Sequence, residues 1–409
     1  MIRAASLIAA FGLTATSAAA EGIQVRTEMG GELAWVEAYS LDGMLGFENQ
    51  QTLLGNARLI WTGSAGDFSF EAALQLGIAS GDKVALTTAM ALFLPPTPPS
   101  TWANLTAALV TDPTTGVLAN VDRLSVTWAN ENLVLKAGRQ AITWGSGLVF
   151  HPTDIVAPFA PNAIDTTYKP GVDMLYGQYL FDSGADIQAI AVPRPLVAGG
   201  AVDIDASTLA LRGQFQLGNF DASLMLAFDR GDTVASLGLS GALGEATWNA
   251  EYIGWQLADG SFKPSWLVNI SNFSTLGDVN VQYFGEYFHN GFGVASGTPL
   301  NALPPSLIKR LSTGQVFLTG RDYLALGAAF QVSADLTLSP NAIVSLNDGS
   351  ALLGIGLDYA LGDNTNIMFN YSQPAGPTGT SFGGLETFGG SGIFVRPANT
   401  ASLKLVHYF

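Results

Sequence analysis

About eighteen stretches of roughly ten residues alternate apolar and polar side chains along this chain, and after residue 20 no run reaches the roughly 20 consecutive apolar residues of a spanning helix. A period of two belongs to strands that keep one face in each of two environments. The composition says which environments these are. Only 12% of the residues are charged, against about 25% in soluble domains, and mean hydropathy is +0.29. Apolar faces turned to lipid, with no spanning helix, leave one architecture, the closed β-barrel, because every backbone polar group must then be paired within the sheet. The longest other apolar stretch, 84–95, contains two threonines and runs into Pro95 and Pro96, so it reads as a loop. The 33 acidic residues outnumber the 17 basic ones for a net charge of −16, which argues against nucleic acid as a partner. The chain has no cysteine, hence no disulfide.

The alternating segments lie near 33–41, 53–61, 68–76, 121–128, 132–140, 171–181, 185–192, 207–217, 220–229, 233–243, 246–256, 264–272, 278–288, 323–332, 334–346, 351–361, 364–371 and 401–409. Bacterial barrels use an even strand number, with short turns on one side and longer loops on the other. The connections obey that parity. Every second one is short and rich in Gly, Asn, Asp and Ser, as at 63–66, 130–131, 218–219, 244–245 and 362–363, and the alternate set holds the long ones, 79–120, 141–170, 289–322 and 372–400. The weak places are 33–41, where Glu37 shares a face with Leu33 and Trp35, and 334–346, which Pro340 interrupts; sixteen strands is the alternative count. The absence of a regular repeat and the length of the strands argue against a soluble sandwich or propeller.

The two ends carry a resemblance. Residues 1–20 read as a secretory signal: Arg3 is followed by an apolar stretch from Ala4 to Leu13 and by small residues at Ala18, Ala19 and Ala20. The mature chain, 21–409, is then expected to be a single barrel domain. The terminal strand places His407, Leu405, Leu403 and Ala401 on one face and stops at Phe409. That ending resembles the last strand of Gram-negative outer-membrane β-barrels, in which the terminal Phe is part of the signal read by the barrel-assembly machinery; His407 departs from the aromatic often found at that position. The resemblance implies an all-β transmembrane antiparallel barrel in the bacterial outer membrane, surrounded by lipid and lipopolysaccharide.

Alternation also assigns the lumen. Leu209, Leu211, Phe215 and Leu217 face lipid, so Arg212 faces inward. The same rule puts Arg58, Arg123, Lys136 and Lys404 inside with Glu71, Asp221, Asp229, Glu251, Glu286 and Asp358. A charge on the lipid face would cost about 2–4 kcal/mol near the midplane. In strand order the basic residues fall mainly on one wall and the acidic ones on the other, which predicts a transverse field across a water-filled pore. The other reading is that the charges pair across a filled interior.

The connection at 139–170 is the most informative. It contains Trp144, Leu148, Val149, Phe150, Ile155, Val156 and Phe159, so it is expected to pack against protein, and the protein available is the barrel interior. In position it resembles the third loop of diffusion porins, which narrows the pore from inside. Gly138-Arg139-Gln140 followed by Trp144-Gly145 is similar to pieces of porin-like and alginate-export-like channels, although those exporters use a strongly basic lumen that this acidic chain does not supply. The resemblance implies that Asp154 and Asp165 form part of a constriction opposite Arg58, Arg123 and Lys136, with Arg139 turned inward by a break at Gly138.

The expected function is passive diffusion of small hydrophilic solutes or ions, with no cofactor and no catalytic or metal site. A homotrimer is implied only by the porin resemblance. The alternatives are a specific transporter for an apolar or oligomeric solute and a surface structural or adhesion barrel. His151, His289 and His407 are the available bases, but no serine in a nucleophile motif accompanies them, so an enzyme is not expected.

Overall fold

The computed structural model describes residues 19–91, 97–161, 163 and 167–409. The expected signal segment therefore lies outside the described residues up to residue 18, as does Asp165. In chain order the strands are β1 (Ala19–Trp35), β2 (Asn49–Ala65), β3 (Phe68–Gly81), β4 (Thr106–Thr111), β5 (Thr115–Ala129), β6 (Leu133–Gln140), β7 (Val172–Leu180), β8 (Asp186–Pro195), β9 (Val202–Leu217), β10 (Phe220–Asp229) and β11 (Asp232–Leu243). They continue with β12 (Ala246–Gln256), β13 (Phe262–Leu276), β14 (Val279–His289), β15 (Asp322–Gln331), β16 (Leu336–Ser345), β17 (Ala351–Gly362), β18 (Thr365–Ala375), β19 (Leu385–Glu386), β20 (Phe394–Val395) and β21 (Asn399–Tyr408). Short helices α1 (Leu41–Met44), α2 (Asp82–Met90) and α3 (Pro305–Ser312) lie in the long connections.

Each barrel strand pairs antiparallel with the next, and β21 pairs with both β18 and β1, which closes the ring. The sheet holds nineteen strands. One of them, β4, forms its ladder only beside the long-loop half of β5, leaving eighteen staves. Closure removes the unpaired edges that lipid would not tolerate. Outside, Leu53, Leu59, Leu74, Leu209, Leu211, Leu224, Leu226 and Leu353 are exposed at alternate positions, as a lipid-facing belt requires.

Two local expectations are corrected. The first strand is not 33–41 but β1, which begins at Ala19 and ends at Trp35; Glu37 lies beyond it, so the misplaced charge disappears. The segment at 84–95 is not all loop, since α2 occupies 82–90. Pro340, by contrast, is accommodated within β16. It stays in register with Ile355 of β17, while the ladder with β15 lapses between Asn341 and Leu338, as a residue without an N–H dictates.

Candidate functional site: the barrel lumen

The wall formed by β21, β1, β2, β3, β5 and β6 carries a chain of ion pairs. Lys404 Nζ lies 3.6 Å from Glu28, and Glu28 also pairs with Arg26. Arg58 pairs with Asp122, which takes a second hydrogen bond of 2.7 Å from Arg123 Nη1. Glu71 then stands between Arg123, at 3.8 Å, and Lys136, at 3.2 Å. Arg26 and Arg58 are direct cross-strand neighbours. Their like charges are separated by these carboxylates and by the ring of Tyr168, which lies 5.4 Å from one guanidinium and 4.2 Å from the other. The wall expected to be basic is therefore paired cation by cation, five cations sharing the three carboxylates of Glu28, Asp122 and Glu71.

Asp122 and Arg26 are the residues that strand reading missed. Strict alternation sends Asp122 to lipid if Arg123 faces inward. The β3–β5 register instead jumps from Ala73↔Arg123 to Leu74↔Val121, so Asp122 is the extra residue of a β-bulge and both side chains turn inward. An adjacent Asp-Arg pair in a lipid-facing strand was the available signal. Arg26 and Glu28 escape strand reading because they lie in β1 ahead of the segment that alternation marks out at 33–41.

The described residues of the connection 141–171 pack inside the barrel, held from the wall by two carboxylates. Glu286 of β14 is fully buried and accepts backbone N–H bonds from Leu148 (2.6 Å), Val149 (2.9 Å) and Phe150 (2.7 Å), and another from Asn269 Nδ2 (2.9 Å). Glu251 of β12 accepts from Ser146 Oγ (2.9 Å), Thr153 Oγ1 (2.6 Å) and the Ser146 N–H. Glycine permits this wrapping. At Gly145, φ is +102° and a Cβ would lie 2.5 Å from Thr153 Oγ1; at Gly147 it would lie 1.7 Å from the Phe150 carbonyl oxygen. Carboxylates bonded to several N–H groups make strong acceptors, so the sequence Gly-Ser-Gly-Leu-Val-Phe is a cradle for the wall rather than a free loop.

The loop's own acidic residue behaves differently from expectation. Asp154 is 4% exposed and ion-paired with Lys169, which also bonds the Ile142 carbonyl and so ties both ends of the loop together. Burial pushes the Asp154 carboxyl up and the Lys169 ammonium down, and each opposes the other's shift. Asp154 thus serves the packing of the loop and does not line the open lumen. Arg139 is also corrected. β6 runs in unbroken register through Gly138, with Arg139 opposite Leu124 and three positions from the inward Lys136, so it stays on the outward-facing side. There it grips Asp173 with two bonds of 2.9 Å and is covered by the backbone of Ala103.

A second connection, 290–321, packs over the first. Arg310 of α3 is 1% exposed; it pairs with Asp229 (3.3 Å) and Asp232 and lies 4.0 Å from the ring of Trp255. Gln315 donates to Ile155 of the inner loop and to Asp229, both at 2.8 Å. Around these bonds Trp144, Ile155 and Val156 of one loop and Phe292, Leu303 and Leu307 of the other join Met174, Ile190, Met225, Val234, Ile253 and Trp255 of the wall in one apolar core.

What remains open lies to the sides. A cavity of about 710 Å³ follows β14 to β18, from Thr337 and Met368 near the short-turn ends to Leu352 and Thr400 near the long-loop ends. Its wall includes Gln282, Ser339, Asn341, Asp358, Asn370 and Ser372, and the loop side offers Leu148, Val149, Pro161 and Ala163. A second space of about 600 Å³ lies beneath α2 and is bordered by Glu28, Asn56, Lys83 and Lys404. A third, of about 540 Å³, holds Arg212, Asp186, Asp221 and Glu251.

No family profile matches this sequence, and no curated protein matches it either. Among solved structures it is similar in fold to a porin. A triple mutant of the Rhodopseudomonas blastica porin aligns over 95% of this chain and 99% of its own, at 10% identity and a TM-score of 0.47. Another mutant of that porin aligns over the same shares at 11% identity with a TM-score of 0.45.

The histidines are all engaged in the fold. His289 bonds Asp322 at 2.7 Å and stacks flat on Trp266 at 3.8 Å, and His407 bonds Thr365 at 2.7 Å and meets the Phe409 ring edge-on at 4.3 Å. The Phe409 N–H bonds the Val25 carbonyl at 2.9 Å, which fastens the last residue to β1. Burial holds His151 below the ordinary imidazole value, with Asp154 and Glu251 opposing and Lys169 adding to the shift.

Proposed function

We propose that this barrel is an outer-membrane channel through which small hydrophilic solutes and ions diffuse passively, narrowed from within by the loop 141–171. One observation carries the reading: a space lined by polar, small and apolar side chains runs along β14–β18 beside that loop, from Thr337 and Met368 to Leu352 and Thr400. A lipid-facing belt outside and a hydrated lane inside are the two requirements of a pore. In this reading Arg58, Glu71, Arg123, Lys136, Arg212, Asp221, Asp358 and Lys404 are wall residues of the hydrated lumen, and Glu251 and Glu286 hold the narrowing loop. The leader at 1–20 is removed on export, Phe409 is read by the assembly machinery, and the protein works in contact with lipopolysaccharide as a homotrimer. Planar-bilayer recording of the purified, folded protein tests the reading. Stepwise ohmic conductance is expected, and its absence would refute an open pore.

A further inference from the structure

The lumen contains two routes of different chemistry, and the structure distinguishes them. Beside β1–β6, among the described residues, the wall cations from Lys404 to Lys136 are held in ion pairs, and α2 hangs across the space, pinned by Lys83 to Glu32 at 2.8 Å. Beside β14–β18 the wall is mixed, with amides and hydroxyls such as Gln282, Ser339, Asn341 and Asn370 standing among small and apolar residues such as Gly354 and Met368. Among the described residues Asp358 is the one charged group lining that route, near its short-turn end, where it accepts a 2.9 Å bond from Asn366.

Resting on the channel reading, we infer that solutes pass along the β14–β18 lane and that this lane selects uncharged polyhydroxylated molecules, with Asp358 admitting cations over anions. Asn, Gln, Ser and Thr each donate and accept, so they exchange hydrogen bonds with hydroxyls as water does, without a fixed charge to attract a counter-ion. The opposite side, Leu148, Val149 and Pro161, is apolar and suits the C–H face of a ring polyol whose hydroxyl edge meets the wall. A single carboxylate in a narrow low-dielectric passage raises the local cation concentration and repels anions.

The absence of native cysteine allows a direct test. Asn341→Cys and Ser339→Cys place a thiol in the lane, and Asn56→Cys places one in the ion-paired sector. With a cationic methanethiosulfonate reagent, both lane variants should lose about half or more of their single-channel conductance and the third should lose little. Block confined to Asn56→Cys would overturn the inference while leaving the channel reading intact; a wild-type protein with no conductance would sink the channel reading itself. In proteoliposomes, a neutral hexose and its amino sugar should enter faster than the corresponding sugar acid, and Asp358→Asn should remove the difference between the two charged analogues. Fastest entry of the sugar acid, or a cation preference unchanged in Asp358→Asn, would overturn the assignment.

Discussion

The two sides of the barrel interior are built from the same kind of strand, yet one is a protein core and the other a hydrated wall. On β10 and β12 the inward positions nearest the long loops are Met225, Ala227, Ile253 and Trp255, which join the loops in a dry cluster. On β16 and β18 the inward Ser339, Asn341, Asn370 and Ser372 line open space, and only nearer the long loops does Ile343 join Phe150 in a second buried cluster. The difference teaches that facing inward does not define a pore-lining residue. A side chain becomes core or lining according to whether a loop arrives to cover it.

That contrast can be broken most forcefully at Arg310. Arg310→Met leaves Asp229 and Asp232 buried without their guanidinium, and loss of one partner of a buried ion pair costs about 3–5 kcal/mol. The filled half should loosen, seen as earlier thermal unfolding and as protease cleavage within 290–321, while the β14–β18 wall keeps its hydrogen-exchange protection. At the boundary between the halves, Glu286→Ala strands the N–H groups of Leu148, Val149 and Phe150, at roughly 1–3 kcal/mol for each buried group left unbonded. The loop should then swing into the lane, and single-channel records should become noisy; Glu286→Gln, which keeps one acceptor oxygen, should be milder. A record as quiet as wild type from Glu286→Ala would mean that the loop is held by its apolar contacts alone.

A gentler probe of the filled side is pH. The folded His151 imidazole titrates below its ordinary value, so between that lower value and about 6.5 the unfolded loop binds more protons than the folded one. Its contribution to loop stability is complete above this window and is lost as the pH falls through it. Protease sensitivity of the loop should therefore rise between pH 7 and pH 5 more in wild type than in His151→Gln; equal slopes would show that another group governs the response. The smallest effect is expected at Lys83→Met. Its pair with Glu32 is solvent-exposed on the lysine side, and such pairs contribute about 0–1 kcal/mol. Unfolding should shift little, which separates the surface pairing of α2 from the buried pairing of α3.

The strand plan was legible because lipid imposes it residue by residue: an apolar face every second position and a tight turn at every second connection. β1 was the exception. Its outward face includes Thr27 and Gly31 and its inward face carries Arg26, Glu28 and Glu32, so the alternation is faint until the strand is seen paired with β2 and β21. The inward packing of 141–171 was legible in its Trp, Phe, Ile and Val content, which water would not tolerate. The fates of Asp154 and Arg139 were not, because each depends on a partner distant in sequence or on a register: Lys169 for the first, the unbroken β5–β6 ladder for the second.

By itself, then, the sequence determined a closed antiparallel barrel, with eighteen staves favoured over sixteen, its inside and outside, and the inward turn of the connection after β6, since periodicity and apolar content are local properties that a bilayer reads directly. Tertiary structure alone decided how the charges pair, because the Asp122 bulge and the meeting of β1 with β21 bring together groups that no spacing relates. It also decided which side of the lumen is filled. That outcome rests on three-dimensional coverage, the carboxylates of Glu251 and Glu286 drawing one loop against β12 and β14 while Arg310 and Gln315 press a second over it, and coverage is a property of the closed ring rather than of any strand.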